Sequence, residues 1–333
     1  MSVETPALSI IIPVHNGEIT LARCLDSIVK QPASKSVEII CVNDHSTDRS
    51  SQVIDKYPVM KLESAGRGVS AARNTGLAAA HGDYLWLVDA DDYLRPNVID
   101  DSFIRKLVQQ PADCLVVGVE KRLANGRSQR TGSQHSAHYD LKIDSEVRNV
   151  FKQNILNSSW NKLYLRKILV RYNLVYPTFS IGEDAIFNYD FFTHAQTLMV
   201  VPTVMYVFNI FSTSSSKFYW KVDQLAAARI LVNKLLMVHQ HTKLVDDELL
   251  FQTLIDTLLG SEANLLNQQN GNLSRKQYYH ELRQKNFNFL LEQCKKAQCS
   301  TNRGYRLKYW IAKSRWRSYW YIHHHLMGKS KED

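Results

Sequence analysis

Residues 82–94 read GDYLWLVDADDYL, an apolar run that ends in three carboxylates, Asp89, Asp91 and Asp92. Like charges gathered at a strand end repel one another unless something positive sits among them, and a divalent cation meets that need. Hard cations such as Mg²⁺ or Mn²⁺ take oxygen ligands, and Mg²⁺ keeps one or two protein carboxylates while water and substrate phosphate fill its other positions. The chemistry indicated is the handling of a metal-bound phosphate compound. A plainer reading is a polar turn, with Asp91 or Asp92 capping a helix that opens near Arg95-Pro96-Asn97. A second acidic pair, Glu183-Asp184, precedes Ala185, Ile186, Phe187, Tyr189, Phe191 and Phe192, read as a strongly apolar helix. Acids in a helix's first turn suit its dipole, so this pair reads either as a cap or as a catalytic carboxylate.

Such residues need elements to hold them. Residues 85–88 read as a buried strand, as do LSIIIPV at 8–14 and VEIICV at 37–42, with a shorter strand at 59–62. Helical spacing of apolar residues predicts helices over 19–29, 49–56 and 71–80 between them. Strands alternating with helices imply a parallel sheet, whose ligands bind beyond the carboxyl ends of the strands. Asn16, Asp44 and Asp89 all fall at such ends. Gly66-Arg67-Gly68 can turn backbone N–H groups toward a phosphate at the start of the helix 71–80, in which Arg73 and Asn74 face either the same cleft or solvent.

Farther on, the pattern predicts a helix at 98–108, a strand at 114–119, a hairpin or loop at 121–140 and a helix at 146–154. Trp160 to Tyr164 reads as the start of another helix, and 198–211 as one or two strands. Beyond about residue 218 the periodicity is helical only, over 223–240, 246–266 and 274–293. Domains are therefore expected at 1–215 and 216–333. Within residues 303–327, Arg303 to Met327, an aromatic stripe is edged with Lys and Arg and contains no acid. That suits a helix lying in an anionic membrane interface, or one packed on its neighbours with the basic residues solvated.

With 333 residues, 44% hydrophobic and 22% charged, the chain is long enough for a large domain and a smaller one. Its formal charge of +9 calls for an anionic partner. Nucleic acid is not expected, because the positive charge concentrates in the tail and no recognition motif is present. Five cysteines without a CxxC pair indicate neither a zinc site nor a disulfide framework, and a reducing cytoplasm is expected. No signal peptide or membrane span is read.

In order and at family-like spacing, LSIIIPVHN, EIICVNDHSTDRS, GRGVSAARNTGL, GDYLWLVDADDYL, SSWNKLYLRKIL and GEDAIFNYDFF resemble the inverting family 2 glycosyltransferases with the GT-A fold, over about residues 9–211. The resemblance implies an α/β domain with a Rossmann-like, mostly parallel sheet flanked by helices, followed by a helical C-terminal region. It implies that Pro13, His15, Asn16 and Asp44 line the nucleotide base pocket, that Arg73 supports the nucleotide, and that Asp89 and Ala90 lie near the ribose. Asp91 would bind the Mn²⁺ or Mg²⁺ that bridges the donor phosphates. Asp184 matches the catalytic base, with Glu183 beside it, and Trp160 and Lys162 would border the sugar or acceptor. A third metal ligand is not identified, His138 and His194 being no better than surface histidines. The implied reaction moves a sugar, a hexose or N-acetylhexosamine from its UDP form, to a saccharide acceptor. That acceptor is expected to be lipid-linked, at the cytoplasmic face of the inner membrane. Two other readings stand beside it, a nucleotidyltransferase that makes sugar nucleotides and a non-catalytic membrane-surface binding protein. Against the former, the first strand is followed by HNGEITLARCLDS, with one glycine and no Arg/Lys cluster.

Overall fold

The first half of the sheet is built from β1 (Leu8–Val14), α1 (Leu21–Val29), β2 (Val37–Asn43), α2 (Ser50–Ile54), β3 (Met60–Glu63), α3 (Val69–Ala79) and β4 (Tyr84–Leu87). All seven residues of β1 are buried, as an inner strand requires. It pairs in parallel with β2 on one side and with β4 on the other, Leu8 standing opposite both Val37 and Tyr84. Pro13 lies beyond Ile11, the last residue of β1 paired with β4, so its missing N–H costs no ladder bond there. α3 lies directly on this sheet. A Cβ on Gly76 would stand 2.3 Å from Ile11 Cγ2, so only glycine permits the approach.

This computed structural model describes residues 5–123, 125–133, 135–152, 157–178, 182–210, 224–268, 287–296 and 306–310. They fall into two compact units, within Met1–Ser214 and within Ser215–Asp333. The first unit continues through β5 (Tyr93–Leu94), α4 (Asp101–Gln109), β6 (Cys114–Leu123), β7 (Ser128–Thr131), β8 (Ala137–Asp140), α5 (Arg148–Lys152), β9 (Lys162–Leu165), α6 (Arg166–Tyr172), α7 (Glu183–His194) and β10 (Thr197–Ile210). The sheet order is β3-β2-β1-β4-β9-β6-β10-β5, with β7 on β6 and β8 on β10. Beyond β4 the sheet becomes mixed.

Two local expectations are corrected here. The helix read from Trp160 is instead strand β9, inserted antiparallel between β4 and β6 with all four residues buried, and helical geometry begins only at Arg166. Burial between two strands overrides the local spacing. Neither Asp91 nor Asp92 caps the next helix: α4 opens at Asp101 on Asp100, whose carboxylate accepts from Phe103 N at 2.7 Å. Tyr93–Leu94 has first paired with β10. Because β9 is antiparallel to both neighbours and β10 is parallel to β6, the strands β6 and β10 run the same way as β4. Their carboxyl ends therefore emerge at the edge where Asp89 lies.

The second unit contains α8 (Gln224–His241), α9 (Asp247–Gln268) and α10 (Phe287–Lys296). Residues 306–310 are helical, with Lys308 paired to Asp256 at 2.7 Å and the Tyr309 ring set edge-on to Phe251 at 5.6 Å. The rest of the 303–327 stripe, and residues 274–286 of the third predicted helix, lie outside the described residues. Among the described residues no helix is long and apolar enough to cross a membrane. Cys24, Cys41, Cys114 and Cys294 are buried free thiols.

Candidate active site

The ends of β1 and β2 are tied together first. Asn16 adopts φ 51°, a left-handed conformation that asparagine tolerates, and its side-chain oxygen accepts from Thr47 N at 2.8 Å. His15 Nδ1 lies 2.7 Å from the Asp44 carbonyl oxygen. Asp44 is buried at the end of β2, and its Oδ2 accepts from the N–H of Gly68, the φ 95° residue that opens α3. Its Oδ1 is also buried, yet has no hydrogen-bond partner among the described residues. Orphaned buried acceptors are rare, and one at a strand's carboxyl end fits a ligand that brings an N–H. Ala90 sits beside Gly17, where a Cβ on the glycine would stand 3.7 Å from the Ala90 Cβ.

The centre of the site is Arg73. It projects from the first turns of α3, is 5% exposed, and reaches three carboxylates. Its guanidinium donates to Asp184 Oδ1 at 2.8 Å, Glu183 Oε1 at 3.3 Å and Asp89 Oδ1 at 3.2 Å. The Tyr176 ring lies 5.1 Å from its Cζ. Three negative groups around one cation leave an excess of negative charge. Burial raises the carboxyls of both Asp89 and Glu183 above their ordinary range, and the neighbouring Asp184 adds to this in each. Ser159 donates to the same Asp184 Oδ1 at 3.1 Å. The contacts made to Asp184 by the described residues thus fall on Oδ1, while its side chain is 22% exposed. Oδ2 is the oxygen that a substrate hydroxyl can meet.

The acidic triplet divides its labour. Asp89 is bound to Arg73. Asp92 is completely buried, accepting from Tyr206 Oη at 2.7 Å and Asn209 N at 2.8 Å, and burial pushes its carboxyl up to about 8. Asp91 alone presents an exposed carboxylate, while its carbonyl is held by Arg23 at 2.8 Å and Asn209 Nδ2 at 3.0 Å. Among the described residues no group of three His, Cys, Asp or Glu side chains can hold a metal. A single exposed carboxylate on a fixed backbone nevertheless suits a hard cation that draws its other ligands from phosphate and water. Neither histidine considered for a third ligand sits near it. His138 pairs with Met199, ten residues and about 33 Å along β10 from Asn209. His194 ends α7, about 15 Å from Asp184 along the helix, stacked 3.9 Å from Tyr172.

Trp160 is half-buried, stacked on Tyr206 at 5.0 Å and Phe208 at 5.2 Å, with its carbonyl accepting from Trp86 Nε1 at 2.7 Å. Lys162 borders no opening. It is fully buried, donates to the Ser158 carbonyl and to Asn161 Oδ1 at 2.7 Å, and is lowered by burial to about 7. Its role is to hold the turn that carries Ser159 and Trp160. Sequence reasoning missed Ser159, Tyr176, Tyr206 and Asn209. They meet the site from 25 to 118 residues away, without a local motif to announce them.

Residues 9–172 match the family model described as "Glycosyl transferase family 2". EpsH of Bacillus subtilis is 26% identical over 226 residues, 66% of this chain and 65% of that protein. The glycosyltransferase GlyA of Streptococcus pneumoniae is 29% identical over 225 residues, 63% of this chain and 31% of that protein. This chain therefore spans less than two thirds of these relatives' length. Among solved structures, Staphylococcus aureus TarS residues 1–349 in complex with UDP-GlcNAc superposes with a TM-score of 0.67 at 17% identity, over 97% of this chain and 92% of that one. The complex with UDP gives 0.66 at 18% identity, over 97% and 91%. The mixed sheet with flanking helices and the helical C-terminal region are the GT-A architecture that these structures share.

Proposed function

From the match of residues 9–172 to the glycosyl transferase family 2 model we propose that this chain is a transferase of that family, which moves a hexose or N-acetylhexosamine from a UDP-sugar to a saccharide hydroxyl, with inversion, in cell-surface glycan synthesis. The observation that carries the reading is the Arg73 guanidinium, which joins Asp89 at the end of β4 to Asp184 in the first turn of α7, the latter 111 residues from Arg73 itself. A strand-end carboxylate for the donor side and an oriented carboxylate for the acceptor side are what the transfer needs in one place.

Asp44 Oδ1 supplies an acceptor where the base would enter. Uracil offers its N3–H to such an oxygen, which fits uridine as the nucleoside of the donor. The TarS structures that share this fold hold UDP and UDP-GlcNAc. Asp91 would hold Mn²⁺ or Mg²⁺, which when bound neutralises charge on a diphosphate leaving group. Asp184, its Oδ1 fixed by Arg73 and Ser159, accepts the acceptor's proton on Oδ2 as the hydroxyl attacks. One base acting from the face opposite the leaving group gives inversion, the counterpart of single displacement in inverting glycosidases. The half-buried Trp160 ring offers an apolar platform to a sugar face. The acceptor in this reading is lipid-linked, with residues 303–327 holding the chain at the cytoplasmic face of the inner membrane.

Calorimetry of UDP binding with and without Mn²⁺, in the natural chain and in Asp91→Ala, tests the donor site. Metal-enhanced UDP binding that loses its metal dependence in Asp91→Ala is expected. Equal metal dependence in both proteins would remove Asp91 from this role, and no binding of UDP by the folded natural chain would overturn the transferase reading.

A further inference from the structure

Beside the exposed Asp91 lies a cluster that the transfer as described does not use. Tyr93 is flanked by two guanidinium groups, Arg23 Cζ at 4.8 Å and Arg122 Cζ at 5.6 Å from its ring centre. Arg122 and Arg95 both reach the buried carboxylate of Glu120, through Nε at 3.0 Å and an Nη at 2.5 Å. The group thus sets three guanidinium groups against two carboxylates, Glu120, which also lines the adjoining cavity, and Asp91 beside Arg23, and the Arg122 side chain is still 52% exposed. Buried carboxylates that bind two arginines fix them in place, so Arg122 is presented rather than mobile.

Arg122 opens into a cavity of about 530 Å³. The pairing registers place Arg122 opposite Asn209 on β10 and opposite Ser128 on β7, so three neighbouring strands set polar groups in one row. Leu123 and Ile210 add apolar walls, and Gly126, at φ 80°, turns the chain around the end. The volume suits one or two sugar rings, and the mixture of polar and apolar walls suits a saccharide. The guanidinium suits an anion on it, because its planar fork matches carboxylate and phosphate oxygens. Asn209 connects this cavity to the donor side, since its side chain also holds the Asp91 carbonyl at 3.0 Å.

We propose that the cavity between the β6–β7 hairpin and the end of β10 is an anion-binding subsite for the acceptor, in which Arg122 receives a phosphate or carboxylate carried by the acceptor saccharide. That the bound saccharide is the acceptor rests on the transferase reading, while the anion site stands on its own geometry.

The test uses the full chain and three small probes: sn-glycerol 3-phosphate, methyl α-D-glucuronide and the neutral methyl α-D-glucoside. Binding is followed through the Arg122 Nε–H resonance and by calorimetry at low and high salt. The expected result is a shift of that resonance with an anionic probe and affinity that falls with salt. Affinity should drop about tenfold in Arg122→Gln, the loss of one charge-assisted hydrogen bond, and partly recover in Arg122→Lys. Preference for the phosphate or for the glucuronide tells which anion the site takes. The proposal is overturned if the neutral glucoside binds as well as both anions, if no probe moves the resonance, or if Arg122→Gln, shown folded by its circular dichroism melt, binds unchanged. UDP titration of the natural chain is run alongside. Anion binding without UDP binding would keep the subsite and sink the transferase reading, and the reverse would do the opposite.

Discussion

The two halves of the site edge are assembled in different ways. The donor half, Asn16, Asp44 and Asp89, comes from three parallel strand ends within 74 residues, each presented by the same strand-to-loop device. The other half, Ser159, Asp184 and Tyr206, comes from an inserted antiparallel strand's turn, a helix start and the long strand β10. Arg73 joins them. A repeated α/β unit thus supplies a generic nucleotide edge, while long-range pairing sets where the reacting hydroxyl must come.

The largest break of that contrast comes at the joint itself. Arg73→Met keeps the volume of the side chain but leaves Asp89, Glu183 and Asp184 facing one another in a half-buried site. Removing one partner of a buried ion pair costs about 3–5 kcal/mol, so the variant should unfold at markedly lower denaturant and show no transfer. Urea melts read the first effect directly. Unchanged stability would mean that the two halves hold their places without Arg73.

A smaller and more selective change separates the halves without unfolding either. Asp184→Asn keeps an oxygen to accept from Arg73 and Ser159 but can no longer take a proton. Transfer should fall about 10²–10⁴-fold, the usual contribution of a general base, with UDP affinity unchanged. If transfer persisted at the natural rate, the base would have to be another group, and Glu183, 3.3 Å from the same guanidinium, would be next to examine.

How much of this was legible followed the same division. In the donor half, apolar runs of four to seven residues ending in polar turns marked β1, β2 and β4, and the site residues stood directly after them. The burial of all seven residues of β1 shows why the signal was strong. In the other half, Lys162–Leu165 is a strand only because β4 and β6 enclose it, a cause that lies 78 and 48 residues away, and nothing in SSWNKLYL announces it. The same enclosure removed Lys162 from the cleft. The Asp91–Asp92 pair shows the limit most sharply. Two adjacent, identical side chains differ because Tyr206 and Asn209, more than 110 residues later, close over one of them.

That closure makes the smallest of these predictions and ties it to pH. The Asp92 carboxyl keeps its proton up to about 8 in the folded chain, whereas an unfolded carboxyl releases it near 3.8. Between those values the folded state binds more protons than the unfolded one, so stability falls as pH rises from about 4 through about 8. Asp92→Asn removes the titration while an amide oxygen still accepts from Asn209 N and an amide N–H can donate to the Tyr206 oxygen. Melting temperatures measured from pH 5 to pH 9 should therefore converge or cross, the natural chain losing stability relative to the variant as pH rises. Parallel curves would place the Asp92 carboxylate in its charged form throughout, stabilised by Tyr206 and Asn209. The acidic edge after β4 would then hold a permanent negative charge beneath Asp91, and the affinity of that edge for a cation would no longer depend on pH through this residue.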